Sequence, residues 1–200
     1  MNDAFGSRGE AVVRNWLKNQ GYYVIATSLI ENGGAPLLEG QIRSIILPDI
    51  IAAKDGYCCL VDVKSKGRRT RHVSQGCMTT GCALRHYHNY KRASQITGMP
   101  AALCFLFADV GECHFGLIEE IGIHNILDVS PEWLASHPNH AYTEDMVFFN
   151  IDPNHDSQFR LITGEKDLVW ENFKKAATPP KTVHPGERRK KDTPGQRRLF

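Results

Sequence analysis

Apolar residues recur at helical spacing near the start of the chain. Ala11, Val12, Val13, Trp16 and Leu17 form a stripe within GSRGEAVVRNWLKNQ, and Gly21 is a fitting stop, so a helix is expected over residues 6–20. The period then shortens. Residues 22–26 read as a first strand, 31–40 as a Gly/Pro-bearing loop, and the runs near 42–53 and 57–64 as two strands joined by a turn at Lys54-Asp55-Gly56. Residues 65–82 are polar, basic and glycine-bearing, and read as a mobile surface segment. A helix over 83–97, closed by Gly98 and Pro100, leads into AALCFLFA at 101–108, a run apolar enough for a central strand covered on both faces. A turn at 109–113 and a strand at 114–119 follow. Beyond residue 120 the pattern is fainter, with strand-like pieces at 146–151 and 159–162 and a short helix at 166–176. This order predicts an α/β fold, a central mixed sheet with helices on both faces.

Charge adds an asymmetry that the net value of +2 conceals. Residues 181–200 carry seven Lys/Arg against two acids, +5, which leaves the first 180 residues at −3. That tail, with four prolines from Pro179 onward and few apolar residues, is expected to be a disordered basic arm that seeks a polyanion. No apolar run reaches the length of a membrane span and the first residues lack an apolar leader, so a cytoplasmic protein, nucleoid-associated or in the host cytoplasm if phage-encoded, is expected. The six cysteines show no secreted disulfide pattern and read as reduced, mostly buried thiols. Cys77-x4-Cys82, near His72, His86 and His88, invites a zinc reading, but its spacing matches no standard knuckle.

Candidate chemistry lies in LPDIIAAKDGYCCLVDVKSK, residues 47–66. Asp62 and Lys64 are two apart in a strand and project from one face, towards whatever Asp49, after Pro48, also faces. Two carboxylates and a lysine converging at the edge of a buried sheet are costly unless they hold something, and a divalent cation serving phosphodiester hydrolysis is the usual answer. Each residue taken singly is commonly structural; their convergence favours the metal site. Glu10 lies one turn from Val13 and two from Leu17, on the core side of its helix.

Glu10 on the first helix, Pro48-Asp49 on one strand and Asp62-Val63-Lys64 on the next resemble the PD-(D/E)xK, or restriction-endonuclease-like, nuclease superfamily. Their order and spacing are similar to its Holliday-junction-resolvase branch. The resemblance covers roughly residues 5–108. A nuclease core is expected over 1–119, with 120–178 an extension of the same domain and 179–200 a flexible tail. The resemblance also implies Mg2+, with Mn2+ as substitute, held by Asp49, Asp62, the Val63 carbonyl and Glu10. Lys64 would then orient or deprotonate the attacking water and stabilise charge on the phosphorus. In several branches a polar residue from the next helix reaches the site, and Tyr90 and Gln95 are the candidates here.

Lys66, Arg68, Arg69 and Arg71 follow the motif directly and would hold the DNA backbone. At the far end, Gln196, Leu199 and Phe200 in QRRLF resemble the bacterial sliding-clamp-binding peptide, two apolar anchors on a charged arm. The expectation is a metal-dependent DNA endonuclease, a homodimer, acting on branched DNA in recombination, repair or replication-linked processing. A restriction-type or exonucleolytic member of the superfamily is the rival enzyme. A non-catalytic DNA- or clamp-binding adaptor is the rival of another class.

Overall fold

A computed structural model describes residues 3–27, 37–40, 44–67, 69–72, 76–107, 110–138, 142–155 and 157–163. The expected helix at 166–176, the basic arm and the clamp-like peptide therefore lie outside the described residues, as does Arg68.

Helix α1 (Asp3–Asn19) precedes β1 (Tyr23–Ala26), β2 (Leu37–Leu38), β3 (Ile45–Ile46), β4 (Ile50–Lys54) and β5 (Tyr57–Lys66). Next come β6 (Thr70–His72), β7 (Cys77–Ala83), α2 (Leu84–Thr97), β8 (Ala101–Phe107) and β9 (Glu112–Leu117). The described chain closes with β10 (Ile123–Leu127), α3 (Pro131–Ser136), β11 (Met146–Asn150) and β12 (Arg160–Thr163). A six-stranded mixed sheet runs β1-β4-β5-β8-β9-β12, and its one parallel pairing is β5 with β8. A second, antiparallel sheet runs β10-β11-β7-β6.

The alternation of β5 divides the core. Cys59, Val61 and Val63 meet Val12, Val13 and Leu17 of α1 on one face. Leu60, with Leu103, Phe105 and Phe107 of β8, meets α2 and the second sheet on the other. Helices thus cover both faces of the mixed sheet, and β8, every residue of it buried, is the covered central strand that its apolar run predicts. On the α1 side, the Cys104 and Cys113 thiols touch at 2.9 Å, within the core.

Three sequence expectations change. The mobile surface segment expected over 65–82 instead contains β6 and most of β7, with Cys77, Thr79, Thr80 and Cys82 buried. Small side chains and threonines suit the inside of a sheet, and CMTTGCA carries no charge; its glycine masked the β-branched signal. The single strand expected over 42–53 is broken: β3 pairs with β2 in a separate ribbon, and pairing with β5 begins only at Ile50. The strand expected at 114–119 lies at 112–117, and β10 and α3 fall where the apolar pattern was faint.

Between the sheets, Phe159 packs edge-on to Phe105 and Phe149 at centroid distances of 5.8 and 5.9 Å. Gly116 provides the space, since a Cβ there would stand 3.0 Å from the Phe159 ring and 2.4 Å from Ile121 Cγ2. Gly116→Val is therefore expected to destabilise the fold by about 1–3 kcal/mol through overpacking, read as a lower urea midpoint at unchanged slope.

Candidate active site

Pro48 and Asp49 sit where β4 leaves β5. Buried Thr27 fixes this corner: its hydroxyl donates to the Pro48 carbonyl at 2.8 Å, and its backbone N–H donates to the Asp49 carbonyl at 2.9 Å. The last β4–β5 partners are Ile50 and Val61, so Asp49 stands one step further on, beside Asp62. Its Oδ2 accepts a 2.7 Å hydrogen bond from Val63 N–H, which anchors the carboxylate across the break. Nothing in the local pattern singles out Thr27; only the fold brings it under Pro48.

Asp62, Lys64 and Lys66 alternate along the α2-facing side of β5. Asp62 is fully buried. Lys64 Nζ donates to Asp62 Oδ1 at 3.0 Å and to the Tyr90 hydroxyl at 3.3 Å, and lies 5.5 Å from the Tyr90 ring centroid. The Tyr90 hydroxyl also interacts with the Asp62 carboxylate; Asp62 Oδ2, 2.9 Å from the same ammonium, accepts no well-aligned hydrogen bond among the described residues. A buried carboxylate oxygen with charge contact and no directed donor still has capacity for a ligand.

The electrostatics follow from two acids sharing a poorly solvated corner. Burial first, and then the Asp62 charge, push the Asp49 carboxyl up to about 8, against the opposing effects of Lys64 and Val63 N–H. Glu10 contributes the smallest upward push on Asp49; it lies on the helix covering the opposite face, half-buried, and hydrogen-bonds to none of Asp49, Asp62 or Lys64. For Lys64, burial works downward, but Asp62 and Asp49 together overcome it and raise the ammonium above its ordinary value. Burial, and then Asp62, raise the Tyr90 hydroxyl.

Not every expected residue arrives. Tyr90 is buried at the cluster, whereas Gln95, five positions further along α2, is exposed and turned away. His86, four residues before Tyr90, lies on the same side: its ring is 6.0 Å from that of Tyr90, and burial and the Lys64 charge lower its pKa. The helical i, i+4 spacing was the available signal. Lys66 lies within β5, its ammonium 6.0 Å from the Phe105 ring and its pKa lowered by burial. Arg69 is half-buried and paired with Glu112 at 3.1 Å, while Arg71 is exposed. Cys77 and Cys82, five apart on one strand, point to opposite faces of β7. Cys77 Sγ is 3.7 Å from His124 Nε2, whereas Cys82 joins the core near Asp62.

Among the described residues no three His, Cys, Asp or Glu side chains are gathered as a metal centre. The donor set at the corner is therefore the two carboxylates of Asp49 and Asp62, the latter with Oδ2 available. Mg2+ suits that set, because it keeps several waters and takes one or two carboxylates, whereas structural zinc needs four protein ligands. No described helix is long and apolar enough to cross a membrane.

No family model matches the chain, and no curated protein matches it by sequence. Among solved structures it is similar to Hjc, a Holliday junction resolvase from the archaeal hyperthermophile Archaeoglobus fulgidus, at 14% identity and a TM-score of 0.44, over 74% of this chain and 84% of that one. So distant a likeness leaves the site to be judged on its own residues.

Proposed function

We propose that this protein is a metal-dependent DNA nuclease that hydrolyses phosphodiester bonds. The observation that carries the reading is the juxtaposition of Asp49 and Asp62 at the β4–β5 break, with Lys64 bonded to Asp62 and one buried Asp62 oxygen left without a directed donor. Asp49 and Asp62 would hold Mg2+, with Glu10 and the Val63 carbonyl as further ligands. Bound there, the ion would lend Lewis acidity to the scissile phosphate and lower the pKa of a water.

The remaining work belongs to the chain. Val63 N–H and Thr27 hold Asp49 in place, so little reorganisation is needed when phosphate arrives. The Lys64 ammonium, steadied by Asp62 and Tyr90, orients the attacking oxygen and offers positive charge to the phosphorane oxygens. Lys66 and Arg71 supply backbone contacts. Branched DNA, processed during recombination or repair by a homodimer, is the substrate this reading prefers.

Supercoiled, linear and four-way-junction DNA incubated with the protein should be cleaved in Mg2+ or Mn2+ and spared in EDTA. Lys64→Met should lower the cleavage rate by about 10²-fold or more, the scale of losing one preorganised charge donor. Identical behaviour of wild type and Lys64→Met on every substrate would overturn the assignment.

A further inference from the structure

The face of the mixed sheet that presents Lys64 and Lys66 continues across β8 and β9. Lys64 is in register with Phe105 and Phe105 with His114; Lys66 is in register with Phe107 and Phe107 with Glu112. Two inter-strand steps of about 4.8 Å put His114 and Glu112 roughly 10 Å from the lysine stems, on the same face. A cavity of about 280 Å³ opens there between the two sheets. His114, Glu112 and Leu161 form its floor, Met78 and Ile151 of the second-sheet side its roof, and Arg69 its rim nearest β5.

The lining has a particular chemistry. Glu112 Oε2 accepts from Arg69 at 3.1 Å and faces His114 Nε2 at 3.3 Å, so both interactions fall on one oxygen and Oε1 remains for another donor. Across the cavity, Asp152 Oδ1 accepts from the Asn154 backbone and side chain at 3.0 and 3.2 Å, and its Oδ2 pairs with His155 Nδ1 at 3.2 Å. His114 is buried against the Phe107 ring, 5.4 Å between centroids, and burial lowers its pKa. Two carboxylates, set against one committed guanidinium and two imidazoles, favour N–H donors over phosphate. Met78 and Leu161 offer apolar surface to a flat ring, with the core residue Ile151 behind them. A planar heterocycle with amino groups at its edge meets both demands.

We propose that this cavity receives an unpaired nucleobase bearing an exocyclic amino group, from the strand whose phosphate lies at Asp49 and Asp62. This rests on the nuclease reading and deepens it. A base held in duplex stacking cannot enter a cavity between two sheets, so the cavity selects DNA that presents an unstacked nucleotide near the cut. Junctions, flaps and single strands qualify, and continuous duplex does not.

The test is binding, measured by fluorescence anisotropy in Ca2+ and in EDTA, with single-stranded cytosine-rich oligonucleotides in which one abasic residue is moved along the strand. The abasic residue removes the base and keeps the phosphate. At one position it should weaken wild-type binding about tenfold, the scale of losing one base contact. Leu161 lies on the exposed edge strand β12, where tryptophan would fill the cavity without disturbing the core. Leu161→Trp should bind the intact strand about tenfold less well and suffer no further loss from the abasic residue. Asp152→Asn, in an exposed turn, should reduce the preference for cytosine over thymine at that position. The proposal fails if no abasic position matters, or if Leu161→Trp keeps the full abasic penalty. Mg2+-dependent cleavage is scored separately. A base penalty without cleavage refutes the nuclease reading alone, and cleavage without a base penalty refutes the cavity alone.

Discussion

Asp62→Ala is expected to abolish metal-dependent cleavage and to destabilise the metal-free protein. The first effect follows from losing a ligand and the partner that steadies Lys64, and should reach about 10³-fold or more, some 4 kcal/mol of transition-state stabilisation. The second follows from leaving the ammonium of Lys64, whose side chain is only 22% exposed, without its 2.9 Å partner. Removing one member of a buried pair costs about 3–5 kcal/mol. Asp49 still faces this ammonium and water reaches part of it, so about 2 kcal/mol is expected. Asp49→Asn should also abolish cleavage, yet act oppositely on stability. It removes one of two adjacent carboxylates from a poorly solvated corner, while the amide oxygen can still accept from Val63 N–H. A gain of about 1 kcal/mol, or ~2–4 °C in thermal midpoint, is expected. Thermal unfolding in EDTA beside a cleavage assay checks both variants. Two inactive proteins whose midpoints move in opposite directions are what a functional clustering of charge predicts; a purely structural ion-pair corner would retain activity.

Phe149→Ala is expected to produce the largest loss of stability. Phe149 is fully buried where the two sheets and α2 meet, with ring centroids 6.1 Å from Phe105, 5.9 Å from Phe159 and 5.7 Å from Tyr87. Truncation removes its transfer free energy and leaves a cavity that three aromatic rings and a β-strand backbone cannot collapse to fill. The cost should be about 3–5 kcal/mol, a fall of roughly 10 °C in thermal midpoint for a chain of this size. No catalytic candidate touches Phe149 directly, so cleavage at a temperature where the variant is folded should remain within a few-fold of wild type. A lowered denaturant midpoint with retained low-temperature activity is the expected pair of results. Lost activity in a folded variant would mean that the second sheet takes part in the chemistry.

The legible features were those carried by local period. The stripe Val12, Val13, Leu17 marks a helix whatever lies against it, and the uninterrupted apolar run at 101–107 marks a strand covered on both sides. Where period and composition disagreed, reading failed. CMTTGCA has threonines, cysteines and a glycine with only moderate hydropathy, so its burial depends on neighbouring β11 and β6 rather than on its own apolarity. The same limit applies to the charged run after Lys64. Glu112, 43 positions away in sequence, pairs with Arg69, and nothing around Arg69 announces it.

By itself, the amino-acid sequence determined that Asp62 and Lys64 share one face of a strand, because side-chain alternation is a property of the extended backbone alone; that the strand runs on to carry Lys66 on the same face is a result of folding. It also placed Pro48-Asp49 within the strand-like run that precedes that strand. Only the tertiary structure decided that the partner strand breaks at Asp49, that Thr27 secures the corner, and that Tyr90 and His86 rather than Gln95 look onto Lys64. The reason is physical. Direction along a strand is set by neighbouring peptide units, whereas burial, charge pairing and shifted ionisation are set by groups that approach through space, and those the chain brings together only when it folds.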